Sequence, residues 1–185
     1  MKSLPILRLL LLPGLLLFAA GCDKDDDNDN APSKAAQLTA VTWKESGSSL
    51  VVNGVEGKQT TPPATADSYK FNPDGKVVLT EANGTVTNGT WALASNDSQL
   101  TVTLSGQTQT QQIFALTATS FSAGFSFTGA QVQTALAGQP VAGVPNGLIA
   151  LILLSASGFT FPPNTPTLNA NQITSLELRT NLVPK

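Results

Sequence analysis

Short β-prone runs, each cut off by a turn signal and with no long helical periodicity between them, constrain this chain more than any other feature. From Leu38 onward Thr, Val, Ser, Gly and Asn dominate. Such runs at close spacing, without intervening helices, predict an antiparallel meander or barrel. The sharpest signal is Asn83-Gly84 between two β-prone runs. Asn-Gly adopts the positive φ angles of the tight turn whose twist matches its flanking strands. Asn72-Pro73-Asp74-Gly75 is a second turn, with Pro presetting φ and Gly accepting a positive one. Asn53-Gly54, Ser95-Asn96-Asp97 and Ser105-Gly106 are three more.

These turns delimit expected strands at 39–45, 50–52, 68–71, 76–81, 88–93, 99–104, 108–116 and 120–127, with a loop at 59–66 around Pro62-Pro63. Leu100, Val102 and Leu104 alternate with Thr101 and Thr103, so one face is apolar. Phe121, Phe125 and Phe127 share a face in the same way. The C-terminal third is less regular. A short helix is expected at 129–136, a loop at 138–147, a short strand at 158–161 and a last strand at 172–180. The apolar run 148–154 is too short to span a bilayer, and periodicity does not separate a buried strand from a buried helix there. The expected fold is therefore all-β: an antiparallel up-and-down barrel of about eight strands, with the last strand pairing with the first.

The N-terminus carries a different kind of information. Residues 1–21 have the pattern of a signal peptide: the only charges are Lys2 and Arg8, an apolar region follows, and Ala19, Ala20 and Gly21 are small. The alternative, a membrane-spanning anchor, needs roughly 20 apolar residues. Phe18-Ala19-Ala20-Gly21-Cys22 resembles the lipobox of bacterial lipoproteins, with Ala19 where Leu is usual. The resemblance implies a diacylglyceryl group on the Cys22 thiol and a third acyl chain on its amine. Each buried methylene contributes about 0.8 kcal/mol, so several chains anchor durably. The partner implied is the outer membrane, reached through covalent lipid. Cys22 is the only cysteine, so no internal disulfide forms and the core alone holds the domain.

Residues 22–37 then read as a lipidated cysteine and a disordered acidic tether, and 38–185 as the β domain. Extended, residues 23–37 reach roughly 50 Å; as a coil they average about 20 Å. Lys24-Asp25-Asp26 resembles the surface-export signal of Bacteroidetes lipoproteins, which implies display on the cell surface; the alternative is the periplasmic leaflet. Within the domain, Trp43, Phe71-x-x-Asp74-Gly75, Gly89-Thr90-Trp91, Leu100-x-Val102 and Ile113-x-x-Leu116 occur in the order seen in the lipocalin-like domains of such lipoproteins. The resemblance covers 38–127. Val41-Thr42-Trp43 lacks the glycine of the usual first-strand motif, so the likeness is to the lipocalin-like group rather than to lipocalins proper.

Trp43 and Trp91 read first as core plugs and second as ligand platforms. The lipocalin resemblance implies that an arginine late in the chain, here Arg179, packs across the first-strand Trp43 at the barrel end, a cation–π contact of about 0.5–2 kcal/mol; the alternative is a solvent-facing arginine. The chain has no histidine, the usual general base and metal ligand. Asp67, Asp74, Glu81, Asp97 and Glu177 are more simply turn formers and edge charges than a catalytic pair. No phosphate-cradling loop is present, and the acid run 25–29 lacks the Gly and Glu of a calcium loop. The sequons Asn83-Gly84-Thr85 and Asn88-Gly89-Thr90 read as hairpin turns. Scattered cations leave no basic patch for nucleic acid. The expected function is non-catalytic, without cofactor or metal: binding of a small apolar ligand or an envelope component. The alternatives are a filled barrel acting through its surface, and surface glycan binding by exposed aromatics.

Overall fold

The computed structural model describes residues 32–167 and 169–185. The readings at Cys22, Lys24, Asp25 and Asp26 lie outside the described residues. The β domain contains β1 (Thr42–Val52), β2 (Val55–Thr60), β3 (Ser68–Phe71), β4 (Lys76–Thr80), β5 (Val86–Ala94), β6 (Gln99–Leu104), β7 (Gln107–Leu116), β8 (Phe121–Thr128) and β9 (Ser175–Pro184). Every pairing is antiparallel. β3 to β9 follow one another in sequence order around the sheet, and β1 pairs with both β3 and β9. Eight strands thus form a closed up-and-down barrel, consistent with a lipocalin-like fold. Closure leaves no unpaired edge among those eight.

The turns sit where their residue types require them. Gly84 has φ 87°, and its N–H donates to the Glu81 carbonyl at 2.9 Å. Ser95, Asn96 and Asp97 all take positive φ between β5 and β6, a conformation that Asn and Asp tolerate better than most residues. Along β5 the residues alternate strictly between half-buried and exposed. Thr87, Gly89, Trp91 and Leu93 face inward, while Val86, Asn88 and Thr90 face out. The second sequon therefore differs from its expected turn: Asn88-Gly89-Thr90 lies in the middle of β5, hydrogen-bonded on both sides. The local Asn-Gly signal is overridden by pairing to β4 and β6.

β1 is a single long strand where two short ones were expected. A register shift between Glu45 and Gly47 bends it. On one side β1 pairs with β9 along its length, from Trp43 opposite Pro184 to Val52 opposite Leu176. On its other side it pairs with β3 only over Thr42–Lys44. Beyond the bend that side is taken by β2, from Gly47 opposite Thr60 to Val52 opposite Val55. β2 is thus a ninth strand, folded back on β1 through the Asn53-Gly54 turn. Its outer edge forms a single backbone bridge among the described residues, Lys58 to Thr160, and the Phe161 ring packs over Gly57. That bridge is all that remains of the strand expected at 158–161; a 3-10 turn, Ser155–Gly158, occupies its start.

Helices pack at both ends, closing one and covering part of the other. α1 (Lys34–Ala40) starts earlier than the expected domain boundary and occupies residues expected to be tether or strand. Leu38 is buried completely, the Trp43 indole N–H donates to the Leu38 carbonyl at 2.9 Å, and Lys70 Nζ donates to the Thr39 carbonyl at 2.9 Å. The lysine satisfies a carbonyl at the helix C-terminus, where a positive charge is favoured. At the far end α2 (Gly129–Leu136) opens with a capping box between Thr128 and Gln131, as its expected position required. α3 (Leu148–Leu154) resolves the ambiguous apolar run as a helix. Ile149 and Ile152 are buried against Leu50, Val52, Phe127, Val132 and Leu176, while Leu151 and Leu154 are exposed. The last strand begins at Ser175, because Gln172 belongs to a 3-10 turn, and runs on to Pro184.

Gly47 makes the bend possible. A Cβ there would lie 2.2 Å from the Gln59 carbonyl oxygen of β2, a backbone atom that cannot move aside alone. Gly47→Ala is expected to destabilise the fold by about 1–3 kcal/mol, the usual range for overpacking. Urea unfolding measures it, and a midpoint equal to that of the parent chain would contradict the account.

Candidate functional site

The barrel does not fill completely. Leu38, Trp43, Phe71, Val77, Leu100, Phe121 and Leu182 pack one end solid. Edge-to-face contacts join Trp43 to Phe121 at 5.5 Å, Phe71 to Phe121 at 6.2 Å and Phe71 to Trp91 at 5.6 Å. Above this aromatic layer lies a cavity of about 210 Å³. Its floor is Phe71, Leu100, Phe121, Ala123 and Leu182, all buried. Its walls are Tyr69, Val102, Leu104 and Thr180. Its remaining lining is Gln107, Gln109 and Gln111 of β7. Gln107 and Gln109 are exposed and Gln111 half-buried, so these three mark the mouth, on the side of the β6–β7 turn. Wider grooves lie outside the barrel, one beside β2 and one beside the 138–147 loop.

Strand parity builds this lining. On β6 the expected inward set Leu100, Val102 and Leu104 is the observed one. On β7, Ile113 is in the core, and Gln111, Gln109 and Gln107 share its parity. Their neighbours Thr108 and Thr110 face outward, where they hydrogen-bond to Thr103 at 2.8 Å and Thr101 at 3.0 Å. The inward glutamines were missed in the sequence because polar residues are assigned by default to the solvent side. The signal was present: Gln107-Thr108-Gln109-Thr110-Gln111 alternates in phase with Ile113.

Among the described residues no charged side chain lines the cavity. Burial pushes the Tyr69 phenol up to about 12, and the Asp67 and Glu45 carboxylates push in the same direction. Both carboxylates are engaged: Glu45 Oε1 accepts from Thr61 Oγ1 at 3.1 Å, and Asp67 Oδ1 accepts from the Ala82 N–H at 3.0 Å.

Trp43 and Arg179 are not brought together. In β9, Leu176, Leu178 and Leu182 face inward, so Arg179 faces outward. It stands opposite Ser49, whereas Trp43 is buried inside opposite Pro184. The Arg179 guanidinium pairs with the Glu177 carboxylate and lies 4.4 Å from the centre of the Phe114 ring. Its cation–π contact exists, but on the outer wall and with another aromatic. Nearby, Ser122 Oγ donates to Asn181 Oδ1 at 2.9 Å and Asn181 Nδ2 to Ser49 Oγ at 2.8 Å. The Ser49 hydroxyl in turn holds the Glu56 carboxyl below its usual range. This polar chain crosses the seam from β8 through β9 and β1 to β2.

The remaining sequence candidates are scattered. Trp91 is half-buried, and its N–H donates to the Asn72 carbonyl at 2.9 Å. Asp74 accepts from the Lys76 N–H at 3.1 Å as a turn former, and that bond holds its carboxyl below the usual range. Asp97 sits in the β5–β6 turn. Among the described residues no group of His, Cys, Asp and Glu is placed to hold a metal ion, and no helix is long and apolar enough to cross a membrane.

Fold and site together define the class: a closed eight-stranded antiparallel barrel with an apolar internal cavity open at one end. Neither a family model nor a curated protein matches the chain.

Tyr69 is the only tyrosine, so its titration can be followed alone. The folded chain is expected to show a tyrosinate absorbance midpoint near 12 rather than 10. Because the fold favours the neutral phenol, this contribution to stability is fully present below pH 10 and is lost as pH rises through 12. A midpoint of 10 in the folded chain would place the ring in solvent.

Proposed function

We propose that this chain is a lipid-anchored cell-envelope protein that holds a small apolar molecule inside its barrel without transforming it. The observation that carries the reading is the cavity of about 210 Å³ over a buried aromatic floor. Barrels of about eight strands are just wide enough to be filled by side chains or to hold one small ligand. A cavity of about 150 Å³ accepts benzene, so this one suits a single ring with a short chain. The absence of histidine from the sequence and the dispersal of its carboxylates favour carriage over catalysis.

The anchor rests on sequence. Cys22 behind an apolar leader is the proposed lipid attachment site, and Lys24-Asp25-Asp26 the proposed surface-export signal, as in the Bacteroidetes lipoproteins that the pattern resembles. The protein is thereby proposed to sit on the outer membrane, facing the outside of the cell. A carrier held there meets small apolar molecules before they cross the envelope. The partners in this reading are the membrane, through the covalent lipid, and the carried molecule.

Native mass spectrometry of the full chain, isolated from its host envelope, tests the reading. A mass increment that disappears on denaturation is expected, beyond the covalent acyl mass. Val102→Trp, which fills the cavity from its wall, is expected to remove that increment and keep the barrel's cooperative urea unfolding. An increment unchanged by Val102→Trp would move the ligand outside the barrel, and no increment would favour a filled barrel acting through its surface.

A further inference from the structure

The ends of the cavity differ chemically, and that difference specifies the ligand further. We propose that the bound molecule is a neutral amphiphile: its apolar body rests on Phe71, Leu100 and Phe121, and an uncharged hydrogen-bonding head, such as an amide, carbonyl or hydroxyl, meets the side-chain amides of Gln109 and Gln111. The proposal rests on the barrel being the binding site and names what that site selects.

Three observations carry it. First, β7 turns a row of glutamines inward on the same face as the buried Ile113, and they line the cavity from half-buried Gln111 to exposed Gln107. Each amide offers both donors and an acceptor. None of the three makes a side-chain hydrogen bond that would commit it elsewhere among the described residues, in contrast to the outward Thr108 and Thr110. Second, among the described residues no cation lines the cavity to receive an acid head. The arginine of β9 is on the outside wall, paired with Glu177. Third, among the described residues no carboxylate lines the cavity either, so an ammonium head would find no counter-ion there. An ionised head in the cavity would lose hydration without gaining a counter-ion, whereas a neutral one exchanges hydrogen bonds with water for hydrogen bonds with amides.

The test is calorimetric titration of the purified full chain with four probes of one shape: 4-propylbenzamide, 4-propylbenzoate, 4-propylbenzylammonium and propylbenzene. Val102→Trp, with its cavity filled, supplies the background for non-specific partitioning. The amide is expected to bind about tenfold or more tightly than either ion, the penalty of burying an unpaired charge. Gln109→Leu with Gln111→Leu is expected to weaken the amide about two- to tenfold relative to propylbenzene, the effect of losing a neutral hydrogen bond. Should that variant fail to fold, the ranking of the four probes on the parent chain decides the matter. Equal or tighter binding of the benzoate or the ammonium would overturn the neutral head while leaving the cavity reading intact. A Gln variant that weakens propylbenzene as much as the amide would also overturn it. If none of the four binds above the Val102→Trp background, the cavity reading itself falls, and this proposal with it.

Discussion

Everything in this fold depends on the seam between β1 and β9. Those two strands are distant in sequence, yet their ladder runs from Trp43 opposite Pro184 to Val52 opposite Leu176. Without it the meander would be an open sheet with two unpaired edges, and open edges are sites of wrong pairing. The seam also sets parity. Once β9 is in register, Leu176, Leu178, Thr180 and Leu182 face inward, and Glu177, Arg179 and Asn181 face outward. A shift of one residue would exchange the two sets. The outer polar chain from Ser122 through Asn181 to Ser49 crosses this seam and hydrogen-bonds only in the observed register.

One bend lets β1 serve three neighbours. Before Gly47 the strand pairs with β3 and shuts the α1 end of the barrel tightly around Trp43. After it, β2 takes the place of β3 at the far end. The ends consequently have different characters. Beneath the cavity, α1, Trp43 and the phenylalanines form a solid aromatic plug. At the other end α2 and α3 cover the strand ends of β1, β8 and β9, while β6 and β7 leave an entrance. In the proposed reading this plugged barrel with one entrance is a container, and the contrast between its apolar floor and its amide rim would give an occupant a direction.

Much of the barrel was legible in the sequence. Asn83-Gly84, Asn72-Pro73-Asp74-Gly75 and Ser95-Asn96-Asp97 mark the β4–β5, β3–β4 and β5–β6 turns, because each needs backbone angles that few residues accept. The inward sets of β6 and β8 followed from alternation alone. The candidate site was less legible. Leu100, Val102 and Phe121 could be assigned to the interior, but not to a cavity, since that depends on how far side chains from opposite walls reach. Gln107, Gln109 and Gln111 were hidden because their polarity argues for the surface and only their phase with Ile113 argues against it. The partnership of Trp43 with Arg179 failed on parity: a family likeness supplied the pair, and strand register placed its members on opposite faces of the wall.

By itself the sequence determined the strand-and-turn rhythm, the antiparallel class and the apolar faces, because these rest on local dihedral preferences and a period of two. It also carries the apolar N-terminal run, Cys22 and the acidic run after it, on which the proposed anchor rests. Tertiary structure decided the rest. Residues 34–40 became a helix because Leu38 could bury in the barrel end and Lys70 could satisfy a carbonyl at the helix C-terminus. Residues 148–154 became a helix because the far end offered a surface for Ile149 and Ile152 on one side only. The cavity belongs wholly to this second group. It is the space left when eight strands close at a circumference set by backbone hydrogen bonding, and no local pattern along the chain reports how much of that space the side chains fill.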